Sequence, residues 1–187
     1  MAYSNNSVIT GKFKGSLGKE LVFREWAGKT VVAKAPKARS GAPTEAQAKT
    51  QENFLLAARY AKFIVNDPAM VAGYAATLRP RQNVYSRALE DFINPPTVVS
   101  ITTRGYTGAV GDTLTIRAKD DFRVVKVLVE IYAADGTLVE QGDGIQNTNG
   151  VDYTYTARQA NPSLAGSTIK AIAIDVPGNE GTLEISL

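Results

Sequence analysis

The chain has 187 residues, 44% hydrophobic and 21% charged, with a net charge of +3, as expected for a globular protein of one large or two small domains. It contains no cysteine and no histidine, which excludes disulfide frameworks, thiolate zinc sites, cysteine nucleophiles and histidine general bases. No apolar run approaches the ~18 residues of a membrane-spanning helix, and the polar first residues predict no signal peptide.

The first predicted element is a β-hairpin. Residues 19–26 alternate in polarity, Ala27 and Gly28 supply a turn, and residues 30–33 form the returning strand. Both faces of this hairpin carry mixed side chains, so we expect it to need the helices or another chain to cover it.

Cations are concentrated before residue 40, with only Glu20 and Glu25 opposing them. One interpretation is a basic arm that binds nucleic acid or an acidic protein surface. The other, which we favour, is a solvated strand face, because the cations do not form dense runs of ~5–8 residues. Trp26 is expected to be a buried anchor under the hairpin rather than a base-stacking platform. The candidate partner-binding residues are Lys12, Lys14, Lys19, Arg24, Trp26, Lys29, Lys34, Lys37 and Arg39.

Three helices are predicted after a proline-rich linker at residues 36–43. The first begins at Thr44 and carries an apolar stripe at helical spacing. The second begins at Pro68 with Asp67 as its cap, and the third spans about residues 82–92. Glu90 and Asp91 are neighbours on that helix and do not face each other, so we expect a solvated helix end rather than a catalytic pair. The residues of the first stripe are Phe54, Ala57, Ala58, Ala61 and Val65, widened by Leu55 and Ile64.

After Pro96 the apolar period changes from 3.6 to 2, which predicts strands. The last two strands are joined by an Asp-Val-Pro-Gly-Asn turn from Asp175 to Asn179, and this hairpin can bury its apolar residues only inside a β-sandwich. The predicted strands are 97–103, 112–118, 123–133, 137–141, 151–157, 167–175 and 182–186.

The predicted fold class is therefore α+β: an N-terminal β-hairpin plus a three-helix region, then an all-β immunoglobulin-like sandwich of about seven strands. Charge also divides the chain, since residues 1–94 carry +7 and residues 95–187 carry −4. We predict two domains with different partners, a basic docking domain at 1–94 and the sandwich at 95–187.

Three features stand out after Pro96: Ala118-Lys119-Asp120-Asp121-Phe122 with the strand that follows, Asp135-Gly136, and the closing turn from Ala173 to Asn179. Through these features, residues from about Pro96 to Leu187 resemble bacterial Ig-like domains. The resemblance implies a sandwich that serves as a spacer or adhesive unit on cell surfaces or phage virions. The first half is similar to short uncharacterised bacterial and prophage-encoded proteins, through the segments Gly11 to Gly18, Trp26 to Val32 and Pro43 to Gln47.

Four oxygen-bearing residues flank strand ends and could converge at one end of the sandwich. Calcium takes six to eight oxygen ligands, whereas Asp and Asn at turns are more simply explained as turn-capping side chains. We therefore predict no metal and keep these residues as weak calcium candidates. They are Asp120, Asp121, Asp175 and Asn179.

The predicted function is that of a non-enzymatic virion component without cofactor, either a capsid decoration or a head or tail connector. It would be assembled in the host cytoplasm. Ig-like units normally work outside cells, and display on a particle would place one there without an export signal. The expected partners are other structural proteins of the particle, bound through the N-terminal half, and a further copy in a homo-oligomer; no membrane partner is expected.

Two alternatives remain open at the level of sequence. The first is an adhesin or carbohydrate-binding module on the bacterial cell surface, with tyrosines stacking on sugars; ordinary cross-strand packing is the favoured explanation of those tyrosines. The second is a nucleic-acid-binding protein that uses the basic segment from Lys12 to Arg39. The tyrosines concerned are Tyr106, Tyr132, Tyr153 and Tyr155.

Overall fold

The structure is a computed structural model, and it describes residues 2–4, 14–37 and 41–187. The described chain contains three helices and three antiparallel four-stranded sheets, which confirms the α+β class and the order of hairpin, helices and strands. It divides into two compact units, Met1–Thr44 and Glu45–Leu187. The helices thus share a unit with the C-terminal strands, whereas the predicted division lay between residues 94 and 95.

The described residues of the N-terminal unit form one sheet, which we call the N-terminal sheet. Its strands are β1 (Ala2–Ser4), β2 (Gly15–Leu17), β3 (Leu21–Trp26) and β4 (Lys29–Lys34), in the order β1-β4-β3-β2. The predicted hairpin is confirmed as β3 and β4. Their two-residue turn has positive φ at both positions, 56° at Ala27 and 75° at Gly28, as expected for a tight turn that matches the strand twist.

The second unit begins with α1 (Glu45–Ile64), α2 (Pro68–Ala75) and α3 (Val84–Ile93). The predicted Asp67 cap is confirmed, because its Oδ1 accepts hydrogen bonds from the backbone N–H groups of Ala69 and Met70 at 2.9 and 3.3 Å. A reciprocal capping box between Asn83 and Ser86 starts α3.

The buried face of α1 is narrower than the predicted stripe. Ala57, Ala61 and Ile64 are fully buried, and Ala61 and Ile64 pack with Tyr74 and Ala88. Phe54 and Val65, the first and last residues of the predicted stripe, are exposed, and so is Leu55, which was expected to widen it. The small alanines bring α1 close to α3, so only a narrow strip of α1 meets its neighbour.

Two sheets make up the rest of this unit, with strand orders β5-β6-β10-β9 and β12-β11-β7-β8. All seven predicted strands are present. The short strand β9 was not predicted, because two residues are too few to show the alternation of apolar and polar side chains. The strands are β5 (Thr97–Gly105), β6 (Thr113–Lys119), β7 (Val124–Tyr132), β8 (Leu138–Asp143), β9 (Ile145–Gln146), β10 (Asp152–Thr156), β11 (Thr168–Asp175) and β12 (Glu180–Ser186).

Both of these sheets contribute to one hydrophobic core. Alternate residues of β6, such as Leu114 and Ile116, are fully buried, and so are Val127 and Val129 on β7 and Ile169 on β11. This alternation is what the period of 2 in the sequence predicts.

The turn between β11 and β12 joins the sheets to the helices. Asp175 Oδ1 accepts hydrogen bonds from the backbone N–H groups of Gly178 and Asn179, and the Asn179 side chain donates to the carbonyl oxygen of Phe92 at 3.1 Å. Next to it, Gly181 lies so close to Pro96 that a Cβ would overlap the Pro96 carbonyl oxygen. The chain can therefore pass from α3 into β5 only because residue 181 has no side chain.

Candidate functional site

The N-terminal sheet carries the predicted partner-binding residues. Lys12 and Arg39 lie outside the described residues. The others, Lys14, Lys19, Arg24, Trp26, Lys29, Lys34 and Lys37, are all exposed.

Strand register separates these cations into two groups. Trp26 pairs with Lys29 next to the β3–β4 turn, and Arg24, two residues earlier on β3, is on the same face. Lys34 pairs with Leu21 at the opposite end of the hairpin, near the Lys19 turn. Strands of six residues separate the two ends by about 17 Å, so the cations form two small groups and not one continuous patch.

Lys14 is bound within the sheet. Its Nζ lies 2.8 Å from Oε2 of Glu25, and both side chains are more than half exposed. Hydrogen bonding and charge attraction in this pair raise the pKa of Lys14 and lower the pKa of Glu25. Lys14 is therefore less available for an acidic partner than the sequence predicts.

The expectation that Trp26 is a buried anchor is wrong, because 68% of its surface is exposed. Leu17 is 63% exposed and Leu21 is exposed as well. Beside Leu17, a depression of about 160 Å³ is lined by Lys14, Gly15, Ser16, Leu17 and Phe23. Among the described residues of this unit, no element covers these apolar side chains.

A second polar site, which the sequence did not predict, is centred on Asp91. Asp91 was expected at a solvated helix end, but it is fully buried between α2 and α3. Its Oδ2 accepts a 2.6 Å hydrogen bond from the hydroxyl of Tyr74, which is 2.8 Å from the hydroxyl of Tyr60. Its Oδ1 has no hydrogen-bond partner among the described residues.

Burial raises the pKa of Asp91 to about 7, and the nearby carboxylates of Asp120 and Asp175 act in the same direction. The Tyr74 hydroxyl and the Arg87 guanidinium oppose this shift. Burial also raises the pKa of Tyr74. The cluster can hold a proton on Asp91, but a fully enclosed carboxyl cannot reach a dissolved substrate.

Arg87, which is 2% exposed, is the buried cation beside this cluster. Its guanidinium donates to the carbonyl oxygen of Asp121 and to Glu90, whose carboxylate is 3.1 Å away. Glu90 also accepts hydrogen bonds from Arg79 and Gln82 at 2.8 Å each. The guanidinium thus ties α3 to the loop before β7.

The calcium candidates cap turns and form hydrogen bonds between elements. Asp120 accepts hydrogen bonds from the backbone N–H groups of Phe122 and Arg123, and Asp175 caps the turn before Asn179. Asp121 accepts a hydrogen bond from Asn94. Within the described residues, no group of three or more acidic side chains is arranged to hold a metal ion.

Three of the four candidate sugar-stacking tyrosines are buried, as the favoured explanation of cross-strand packing predicts. Tyr106, Tyr153 and Tyr155 belong to the hydrophobic core, and the Tyr155 hydroxyl donates to Glu140 at 2.8 Å. Tyr132 is half-buried and donates to Glu130. Cross-strand packing explains these residues.

No protein-family model and no curated protein sequence matches the chain. A crystal structure of an engineered protein matches with 21% identity and a TM-score of 0.31, over 49% of this chain and 18% of the engineered one. The match spans less than a fifth of that protein. In the part of the chain that the structure describes, no helix has both the length and the apolar composition needed to cross a membrane.

Proposed function

We propose that the chain is a non-enzymatic structural protein of a phage particle, which binds other particle proteins through the N-terminal sheet and displays an immunoglobulin-like unit. The observation that carries this proposal is the exposure of Trp26, Leu17 and Leu21 on a small sheet. Val31 is the only buried apolar residue among residues 14–37. Trp26 is on one face of this sheet, and the cross-strand neighbours Leu17 and Leu21 are on the other. A sheet with so little core gains stability when a partner covers such apolar side chains.

Strand order supports the immunoglobulin-like part of the proposal. With β5 to β12 lettered A, B, C, C′, D, E, F and G, the two sheets have the orders A-B-E-D and G-F-C-C′. Immunoglobulin constant-type domains have sheets ABED and CFG, and an added C′ strand extends the second sheet in related domains. Such units serve as spacers and binding modules in many proteins.

Co-sedimentation tests this role. The tagged chain is expressed in the bacterial strain that produces the particles. Particle production is induced, the particles are banded on a density gradient, and the amount of tag is measured in each fraction. We expect the chain in the particle band and a several-fold lower fraction for Trp26→Ala. Ile145→Ala is the matched control, because Ile145 is also an exposed apolar strand residue but lies in the second unit.

The proposal is overturned if the chain stays at the top of the gradient while intact particles band. It is also overturned if Trp26→Ala and Ile145→Ala lower the bound fraction equally. Recovery of the chain with the cell envelope would instead favour the bacterial cell surface.

Nucleic acid is the second candidate partner, because Trp26 lies on one face with Arg24 and Lys29. An aromatic side chain between cations can stack on an exposed base. Anisotropy of a labelled single-stranded oligonucleotide at about 50 and 200 mM salt tests this idea, since phosphate contacts make affinity fall steeply with salt. Absence of binding at the lower salt rules it out.

A further inference from the structure

We propose that one face of α1 binds the same face of a second copy of this chain, with the two helices antiparallel. We call it the outward face, because its residues point away from the buried Ala57, Ala61 and Ile64. The outward face consists of Ala48, Glu52, Leu55, Leu56, Arg59 and Phe63.

The first three turns of α1 lie at the surface. Every residue from Glu45 to Leu56 is exposed, and burial begins at Ala57. In proteins most helical stability comes from packing of an apolar face. A partner surface on this half of α1 would therefore add stability to it.

The outward face has the spacing of a helix–helix contact. Ala48, Glu52, Leu55 and Arg59 follow one another at intervals of four, three and four residues, and Glu52, Leu56, Arg59 and Phe63 repeat the same intervals. Leu55 is 53% exposed and Phe63 is 66% exposed. The apolar members of the two series are Ala48, Leu55, Leu56 and Phe63, and they alternate with Glu52 and Arg59 along the helix.

A second copy fits the outward face because its pattern is complementary to itself. If a two-fold axis passes between residues 55 and 56, Leu55 meets Leu56 of the other copy and Glu52 meets the opposite charge of Arg59. On the same register the small Ala48 meets the large Phe63. Each contact occurs twice, as a two-fold interface requires. The charged residues face opposite charges, the small residue faces a large one, and the leucines face each other.

The size of the contact sets the expected strength. α1 has 20 residues and is about 30 Å long. One pair of such helices falls at the low end of specific interfaces, below about 1,200 Å². We expect a dissociation constant in the micromolar range, on the order of 1–100 μM.

Sedimentation equilibrium of the purified full chain, up to about 200 μM, tests the register. Glu52→Arg and Arg59→Glu are each expected to weaken dimerisation at least tenfold, because like charges then meet twice across the axis. The double variant Glu52→Arg with Arg59→Glu should return to within about threefold of the original affinity. Both side chains are exposed, so the single variants should keep the fold.

A cross-link provides an independent readout, because the chain has no cysteine of its own. Leu56→Cys places a thiol next to the axis, and we expect oxidation to give a covalent dimer. Phe54→Cys is the control, since it lies at the same height on the opposite side of α1 and should not cross-link.

A chain that is monomeric at about 200 μM overturns the proposal. The proposal is also overturned if neither single charge reversal changes the dissociation constant of the dimer, or if the two cysteine variants cross-link equally. These measurements use no particles, so their failure is distinguishable from failure of the proposed particle role.

Discussion

The hydroxyl of Tyr74 lies 2.6 Å from Oδ2 of Asp91, 17 positions along the chain, and joins α2 to α3 in a site closed to water. The other oxygen of that carboxylate has no partner among the described residues. A buried carboxylate with one unpaired oxygen is costly when ionised and much less so when protonated. The junction between helices and sheets is therefore sensitive to the proton on Asp91.

This sensitivity predicts that stability falls as pH rises from about 4 to 7. The folded chain holds a proton on Asp91 up to a pKa of about 7, whereas the unfolded chain loses it near the ordinary value of 3.8. The folded state therefore binds more protons in that range, and the free energy of unfolding decreases with pH by up to about 4 kcal/mol. Asp91→Asn should flatten the decrease, measured by urea unfolding at several pH values.

Other carboxylates also affect how the free energy of unfolding depends on pH. The contribution of Asp91 is therefore obtained by comparing variants. Burial also raises the pKa of Asp175, which adds to the decrease. Hydrogen bonds from Arg117 lower the pKa of Asp152 to about 2, so its stabilisation is lost only in acid, as pH falls from about 4 to 2. Asp67→Asn is the control, because asparagine caps a helix as well as aspartate does. Equal slopes for Asp91→Asn and the unchanged chain would contradict the assignment.

The strands were predictable because their signal is local. Alternation along β6 and β7 places Leu114, Ile116, Val127 and Val129 on the buried side, and the period of 2 alone identifies them. The β3–β4 turn and the Asp67 cap are local too, since each depends on residues within four positions. These features follow from the sequence without knowledge of the rest of the fold.

Asp91 and Trp26 were not predictable, because their surroundings come from distant parts of the chain. Asp91 is buried by Tyr74 and by residues that follow Asn94, and nothing near it in sequence marks a buried acid. Trp26 was assigned to the core by its size, but no described element of its unit covers it. Burial of a single polar or aromatic residue depends on tertiary contacts, which periodicity does not encode.

Two glycine-to-alanine changes should have opposite effects. Gly181→Ala is expected to destabilise the second unit by about 2 kcal/mol or more, because the new Cβ overlaps the backbone carbonyl of Pro96. Gly73→Ala should stabilise it by up to about 1 kcal/mol, because Gly73 is inside α2 and a Cβ there makes an ordinary 3.5 Å contact with Phe122. Thermal unfolding of both variants measures the difference, and effects of the same sign would contradict the packing at Pro96.

The sheets are expected to depend on the helices for stability. Phe122 stacks on Tyr74 with ring centroids 4.1 Å apart, and Asn179 donates to the carbonyl of Phe92. A fragment of residues 95–187 would expose Phe122 and lose both contacts. We expect it to unfold at lower urea concentration than a fragment of residues 45–187, and equal midpoints would favour the predicted domain boundary at 94/95.

The β3–β4 turn offers a way to stabilise the N-terminal sheet without changing the exposed side chains of its strands. Ala27 has a φ of 56°, a left-handed conformation that costs an alanine about 1 kcal/mol. Asparagine tolerates this conformation, and Asn-Gly is the preferred pair in such turns, so Ala27→Asn should slow amide hydrogen exchange in β3 and β4 severalfold. Gly28→Ala is the matched control of opposite sign, because a Cβ at Gly28 meets no atom within 4 Å and adds only backbone strain at a φ of 75°. If Ala27→Asn accelerates exchange, or if both variants slow it, the turn does not have the conformation described.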